Sequence, residues 1–243
     1  MSEFDFTLGE HFWTALGQII LVNIILSGDN AVVIALACRN LADRHKKPAI
    51  LAGSLGAIIL RLIFSFFIVY LMSIPYLKLI GGALLLWIGV KLLLPEDEDH
   101  GDGKGGASSL WGAVRTIVIA DAVMSLDNVI AIAAAAKGHV LLIAIGLIIS
   151  IPLIIFGSTL VLKVLLRFPV LVTLGGGLLG WIAGEISLTD PAIHAWAETL
   201  PPWSETAAAG IGAVFVMGLG KILAHRMEQK KALVDLAESG EHR

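Results

Sequence analysis

Apolar residues in this chain come in long unbroken runs rather than in stripes. The runs cover 12–37, 48–72, 76–94, 110–136, 140–165, 170–186 and 207–224. Each lies close to the about 20 residues that a helix needs to cross a ~30 Å hydrocarbon layer. None shows the alternation of a membrane-spanning strand, so all are read as helices, which satisfy their backbone groups internally. The expected fold class is all-α: a polytopic membrane protein with seven transmembrane helices, packed as a single membrane domain over 1–243.

Composition agrees with that pattern. The 243 residues are 57% hydrophobic and only 15% charged, and the charges gather in short connections. A soluble globular domain, a disordered chain and a nucleic-acid binder are all excluded by this distribution. The net charge of −3 implies no partner, and the single cysteine, Cys38, forms no internal disulfide. Residues 1–10 carry acids and no Lys or Arg, unlike the basic start of a cleaved signal peptide.

Lys and Arg set the orientation. With the N-terminus outside, only Lys78 and Lys137 fall outside, and Arg61 lies inside the second span. The remaining basic residues, from Arg39, Arg44, Lys46 and Lys47 through Lys230 and Lys231, fall on the cytoplasmic side. The expected topology is N-out, C-in. Segment 95–109, with Glu96-Asp97-Glu98-Asp99 and several glycines, becomes a cytoplasmic linker, and 225–243 a cytoplasmic tail. The acid run reads as a solvated loop or as a weak collector of cations.

The chain repeats itself. Leu26-Ser27-Gly28-Asp29-Asn30 aligns with Met124-Ser125-Leu126-Asp127-Asn128, and Asn23 then falls on Asp121. At a slightly shorter offset, Gly81-Gly82 and Trp87-Ile88 align with Gly175-Gly176 and Trp181-Ile182. The change of offset is assigned to a longer basic loop near Arg44–Lys47. Residues 12–94 thus resemble 110–186, with the span at 207–224 added. A unit of three spans enters the membrane inverted in its second copy, the architecture of many secondary transporters, whose substrate sites lie near the midplane between repeats. The alternative is a purely structural duplication.

Asp29, Asp121 and Asp127 lie well inside their spans. An Asp at a helix centre costs ~2.5–3.5 kcal/mol, so the three together cost roughly 7–10 kcal/mol unless they face a cavity, a partner or an ion. Asn23, Ser27 and Asn30 follow i, i+4, i+7 and form one stripe; Asp121, Ser125 and Asn128 repeat it. With spans one and four antiparallel, both stripes face one site. Carboxylates, amides and hydroxyls are hard donors, and neither motif holds a His or Cys. That chemistry suits Mg²⁺, Ca²⁺ or Mn²⁺ over Zn²⁺ or Cu²⁺. Arg61, mid-span in helix two, either shares this cavity or pairs permanently with one Asp. Met124, next to Asp121 on the same helix, is a soft donor favouring Mn²⁺, or simply packing. Lys91 is expected to snorkel to the inner surface and Glu185 to lie near the outer one. The seven histidines fall at span ends or in loops, and the Gly-Gly pairs read as close helix packing.

The paired Ser-Gly-Asp-Asn and Ser-Leu-Asp-Asn signatures, with the Gly-Gly…Trp-Ile segments, resemble the TerC family of integral membrane proteins, and within it the YjbE-type branch. The resemblance covers spans one to six. It implies a LysE-like transporter fold, a multi-pass location in the bacterial cytoplasmic (inner) membrane and export of Mn²⁺. Asp29, Asn30, Asp127 and Asn128 match its acidic membrane motifs, with Asn23 and Asp121 one to two turns earlier. No soluble domain is expected after span seven, unlike in longer members.

The expected function is therefore export of divalent cations, Mn²⁺ first, with proton exchange or the membrane potential as driving force, since no nucleotide motif is present. The metal donors are Asp29, Asn30, Asp127, Asn128, Asn23 and Asp121, supported by Ser27, Ser125, Arg61 and Met124. The partners are the transported ion and the lipid bilayer; no cofactor, catalytic residue or nucleic acid is expected. Transport through one chain is assumed, with a homodimer as the alternative. Three competing readings stand beside this one: a non-transporting assembly factor or scaffold, an intramembrane aspartyl hydrolase, for which Leu26-Ser27-Gly28-Asp29 departs from Gly-x-Gly-Asp, and a transporter of another cargo.

Overall fold

The computed structural model describes residues 16–21, 28–95, 109–135 and 140–241. Among these the chain is helical, with no strand. A helical segment at 16–21 precedes eight helices: α1 Gly28–Cys38, α2 Asp43–Ser73, α3 Leu77–Leu93, α4 Leu110–Ala135, α5 Val140–Arg167, α6 Val170–Leu188, α7 His194–Ala197 and α8 Ser204–Glu241. Four of the described helices hold segments long and apolar enough to cross a membrane: Asp43–Ile68, Ile145–Arg167, Val170–Leu188 and Ser204–Lys230. Their surfaces confirm the solvent they need. Phe66, Phe67 and Tyr70 of α2, Phe156 of α5 and Ile211 and Val214 of α8 all stand exposed. So much contiguous apolar surface is compatible with lipid and not with water.

Two compact units make up the chain, one from 1–77 and 106–168, the other from 78–105 and 169–243. In the first, α2 packs on α4 and α5, and α1 packs on α5 and α4. Glycines bring the helices close. A Cβ on Gly53 of α2 would stand 2.6 Å from Ile117 Cδ1 of α4, and one on Gly146 of α5 would strike Ile19. Ile19, Leu36, Ile117, Val129 and Leu147 are fully buried there.

In the second unit α6 lies against α8 so closely that a Cβ on Gly180 would meet the Gly212 carbonyl, and one on Gly184 the Ala208 carbonyl. Helix α3 joins them. Gly82 faces Ala183 and Ser187 of α6, while Gly176 faces Leu93, and Gly89 faces Gly176 and Val216. The reversal from α2 into α3 passes through Tyr76 with φ of 67°, a left-handed turn unusual for a bulky residue.

Several sequence expectations change. Arg44, His45, Lys46 and Lys47 are not a loop: they form the first turns of α2, which continues through Pro48. Early in a helix the missing proline N–H is tolerated. Helix α8 begins at Ser204 and continues past the apolar stretch, through the expected tail, as far as Glu241. At 38 residues and 1.5 Å per residue, α8 is about 57 Å long, well beyond the hydrocarbon layer.

Hydroxyls inside these helices satisfy themselves. Ser65, Ser150, Ser158, Thr159 and Ser187 each donate to the carbonyl four residues earlier, at 2.6–2.9 Å. The close α6–α8 seam should be intolerant of bulk. Gly180→Val should lower the thermal unfolding midpoint of the detergent-purified protein, by an overpacking cost of about 1–3 kcal/mol or more. Gly218→Ala, which meets nothing within 4 Å, should leave the midpoint unchanged or raise it.

Candidate functional site

The polar interior of the first unit is built where α2 and α4 cross. Arg61, Asp121 and Ser125 lie near the middle of these two helices and are buried, with 2%, 7% and 0% of their surfaces exposed. They close a ring. Arg61 Nη2 donates to Asp121 Oδ1 at 2.6 Å, Arg61 Nε donates to Ser125 Oγ at 3.0 Å, and Ser125 Oγ donates to Asp121 Oδ2 at 2.9 Å. Both carboxylate oxygens and two N–H donors of the guanidinium are thus engaged. Asp121 and Ser125 are one turn apart, so a single helix face presents both groups to the arginine.

Asp29 belongs to the same electrostatic neighbourhood. It lies half-buried in the first turn of α1, its Oδ1 accepting the Asn30 backbone N–H at 2.8 Å. The charges of Arg61 and of Asp121 both act on it, the first attractive and the second repulsive. Asn30 is buried and Asn128 half-buried, and both are engaged by neighbouring groups. Met124 is buried in α4. Asn23, Ser27 and the side chain of Asp127 lie outside the described residues. Among the described residues, no three of His, Cys, Asp and Glu gather at a point that could hold a metal ion. Asp29 and Asp121 are brought into one neighbourhood, and the third group there is a guanidinium.

Two features were not foreseen from the sequence. Ser54 of α2, two turns before Arg61, is 1% exposed, and its hydroxyl has no hydrogen-bond partner among the described residues. Nothing in the apolar run around it marks it out. The second feature is the setting of Lys78, which the sequence reading assigned only to the outer side. Lys78 is buried at the start of α3. Its backbone N–H and that of Leu79 donate to Asp190 Oδ2 at 2.9 and 3.1 Å, and its ammonium donates to Thr189 Oγ1 at 3.0 Å. Asp190, fully buried, also accepts from Ala192 N at 2.7 Å. A carboxylate from the end of α6 therefore caps the N-terminus of α3, whose first N–H groups have no partner within their own helix. Elsewhere Lys91 lies 5.1 Å from the Trp87 ring, on an exposed face. Glu185 is likewise exposed.

Comparison with known proteins fits this geometry. Residues 8–231 match the integral membrane protein TerC family. The chain belongs to that family. This TerC protein is 41% identical over 219 residues to the uncharacterized membrane protein YjbE of Bacillus subtilis (strain 168), spanning 87% of this chain and 100% of the relative. It is 27% identical to the uncharacterized membrane protein YkoY of the same organism, over 86% of this chain and 73% of that one. It is also 26% identical to the UPF0053 inner membrane protein YgdQ of Escherichia coli (strain K12), over 60% of this chain and 68% of that one. No solved structure matches it. The TerC protein is thus an integral, multi-pass inner-membrane protein.

The buried ring makes a quantitative demand. Arg61→Ala strands the Asp121 carboxylate in a low-dielectric interior, at a cost of about 3–5 kcal/mol. Ser125→Ala removes two hydrogen bonds and should cost less, roughly 1–3 kcal/mol. Thermal unfolding of the two purified variants in detergent should rank them in that order.

Proposed function

We propose that this TerC protein exports divalent metal cations, Mn²⁺ foremost, across the bacterial inner membrane. One observation carries the reading: Asp121 is buried at the middle of α4, against helix α2, whose outer face requires lipid. Asp29, in the first turn of α1, shares its electrostatic neighbourhood, where a charge without a task is strongly disfavoured. The proposed donor chemistry is all oxygen, from Asp29, Asn30, Asp127 and Asn128, together with Asn23, and it suits a hard or borderline divalent ion. Asp121, occupied by Arg61 and Ser125, stands behind them.

The proposed architecture is seven spans, N-out and C-in, with two inverted three-helix repeats and an added last helix. Helix packing supports it. Aligning the repeats places Ile19 on Ile117, Gly82 on Gly176, Gly89 on Ala183 and Leu93 on Ser187. Exchanging the halves then turns the Gly82–Ser187 contact into the Gly176–Leu93 contact, and Gly82–Ala183 into Gly176–Gly89. In the first unit it turns Gly53–Ile117 into Gly146–Ile19 in the same way. Each exchange stays within one compact unit, as a two-fold relation between repeats requires. In this reading the ion arrives from the cytoplasm, binds between the paired Asp-Asn motifs, and leaves as the repeats rock about that site. Proton exchange or the membrane potential drives it, because carboxylates carry either a metal ion or protons.

The test is Mn²⁺ flux through the purified protein in liposomes. Asp29→Asn and Asp127→Asn should each reduce flux at least tenfold, an effect of about 1.4 kcal/mol or more, with the protein still folded. Unchanged flux in folded variants would defeat the proposal. Metal binding without flux in the unaltered protein would favour the scaffold reading.

A further inference from the structure

The neutral ring of Arg61, Asp121 and Ser125, where α2 of the first repeat meets α4 of the second, is not repeated in the sequence at the corresponding crossing of α5 with the span that begins near Leu16. The contacts Gly53–Ile117 and Gly146–Ile19 align α2 with α5, Gly53 on Gly146. In that register Arg61 falls on Ile154, while Asp121 falls on Asn23. Ile154 packs into an apolar cluster with Leu16, Ile19, Ile143 and Leu147. The crossing without the arginine is thus, by sequence, also the crossing without the acid. A cargo ligand has no reason to appear and disappear together with an arginine on another helix. Two halves of a buried ion pair have every reason to do so, since either charge alone is expensive in this medium.

Geometry points the same way. Both Asp121 oxygens already accept hydrogen bonds, at 2.6 Å from Arg61 and 2.9 Å from Ser125. A divalent ion bonded to either oxygen would stand against the guanidinium. Arginine keeps its charge at any accessible pH, so this cation does not leave to make room. Asp29, in contrast, feels Arg61 without being consumed by it.

We propose that Asp121 is a positioning residue and not a cargo ligand: with Arg61 and Ser125 it braces α2 against α4, and its carboxylate offsets the guanidinium charge that would otherwise repel a divalent cation held by Asp29. The claim rests on the cation-export reading for its second half and is independent of it for the first. Removing the whole pair deletes one charge of each sign, so the field at Asp29 returns close to its original value. Removing one partner shifts that field in one direction or the other.

The experiment compares Asp121→Asn, Arg61→Ile and the double variant, which reproduces the residue types of the other crossing. Mn²⁺ binding and the KM and maximal rate of Mn²⁺ flux are measured on the full-length protein in liposomes, and thermal unfolding in detergent. Asp121→Asn leaves the guanidinium unopposed and should raise KM about tenfold, whereas Arg61→Ile should lower KM and slow the maximal rate by similar factors. The double variant should bring KM back to within about threefold and recover most of the lost thermal stability. Opposite KM shifts that cancel in the double are not produced by a loss of packing alone. If Arg61→Ile does not fold, Asp121→Asn and the double variant still carry the comparison. Loss of Mn²⁺ binding in both of these, with the protein folded, would make Asp121 a ligand and overturn the proposal. Should the unaltered protein neither bind nor move Mn²⁺, the export reading fails by itself. The brace then stands if the double variant regains the stability that the single variants lose, and falls if it does not.

Discussion

A charge held inside a membrane has to be answered by another group, and in this TerC protein the answer is the contact of Arg61 with Asp121 and Ser125. Lipid offers neither hydrogen bonds nor dielectric screening, so two helices that each carry one charge are bound to meet along that face. The rest of the first unit follows from the contact. Small residues at Gly53 and Gly56 let α2 approach α4 at Ile117 and Val118, which brings the guanidinium within reach of the carboxylate one turn further along α4. Asp29 then enters the same field from α1.

The second unit solves a similar problem with different means. Its helices approach through backbone contacts at Gly180, Gly184 and Gly212, where dispersion and close packing replace the hydrophobic effect that lipid cannot supply. Its buried acid, Asp190, does not face a midplane site. It terminates α3, accepting from the Lys78 and Leu79 N–H groups. Two buried carboxylates in one chain therefore have different duties, and their partners distinguish them: a guanidinium and a hydroxyl in mid-helix for one, backbone N–H groups at a helix start for the other.

Four of the seven expected spans reappear among the described helices, because length and unbroken apolarity are strong signals in lipid. The spacing of Asp121 and Ser125 also announced a shared helix face, and Arg61 stood out as a lone charge in a spanning run. What the sequence left open was the choice for Arg61 between a shared cavity and a fixed pair, because helix-to-helix registry is not written in local pattern. The same reason hid Asp190, which meets Lys78 across more than a hundred residues. One boundary failed where polar residues continue a helix: the basic turn at Arg44–Lys47, read as loop from the change of repeat offset, opens α2. Ser54 was invisible because a single hydroxyl in an apolar run carries no signal of its own.

The account comes down to oxygen ligands from both halves of the chain closing on one doubly charged ion, while the arginine-held acid stays apart. The most direct measurement is an experimental structure of the protein soaked with Mn²⁺, read for anomalous scattering. The account predicts one peak bonded at about 2.0–2.6 Å to the carboxylates of Asp29 and Asp127, with Asp121 still on Arg61. Carboxyls of Asp29 and Asp127 standing more than ~10 Å apart across dry aliphatic packing, beyond the reach of one ion with such bonds, would contradict it.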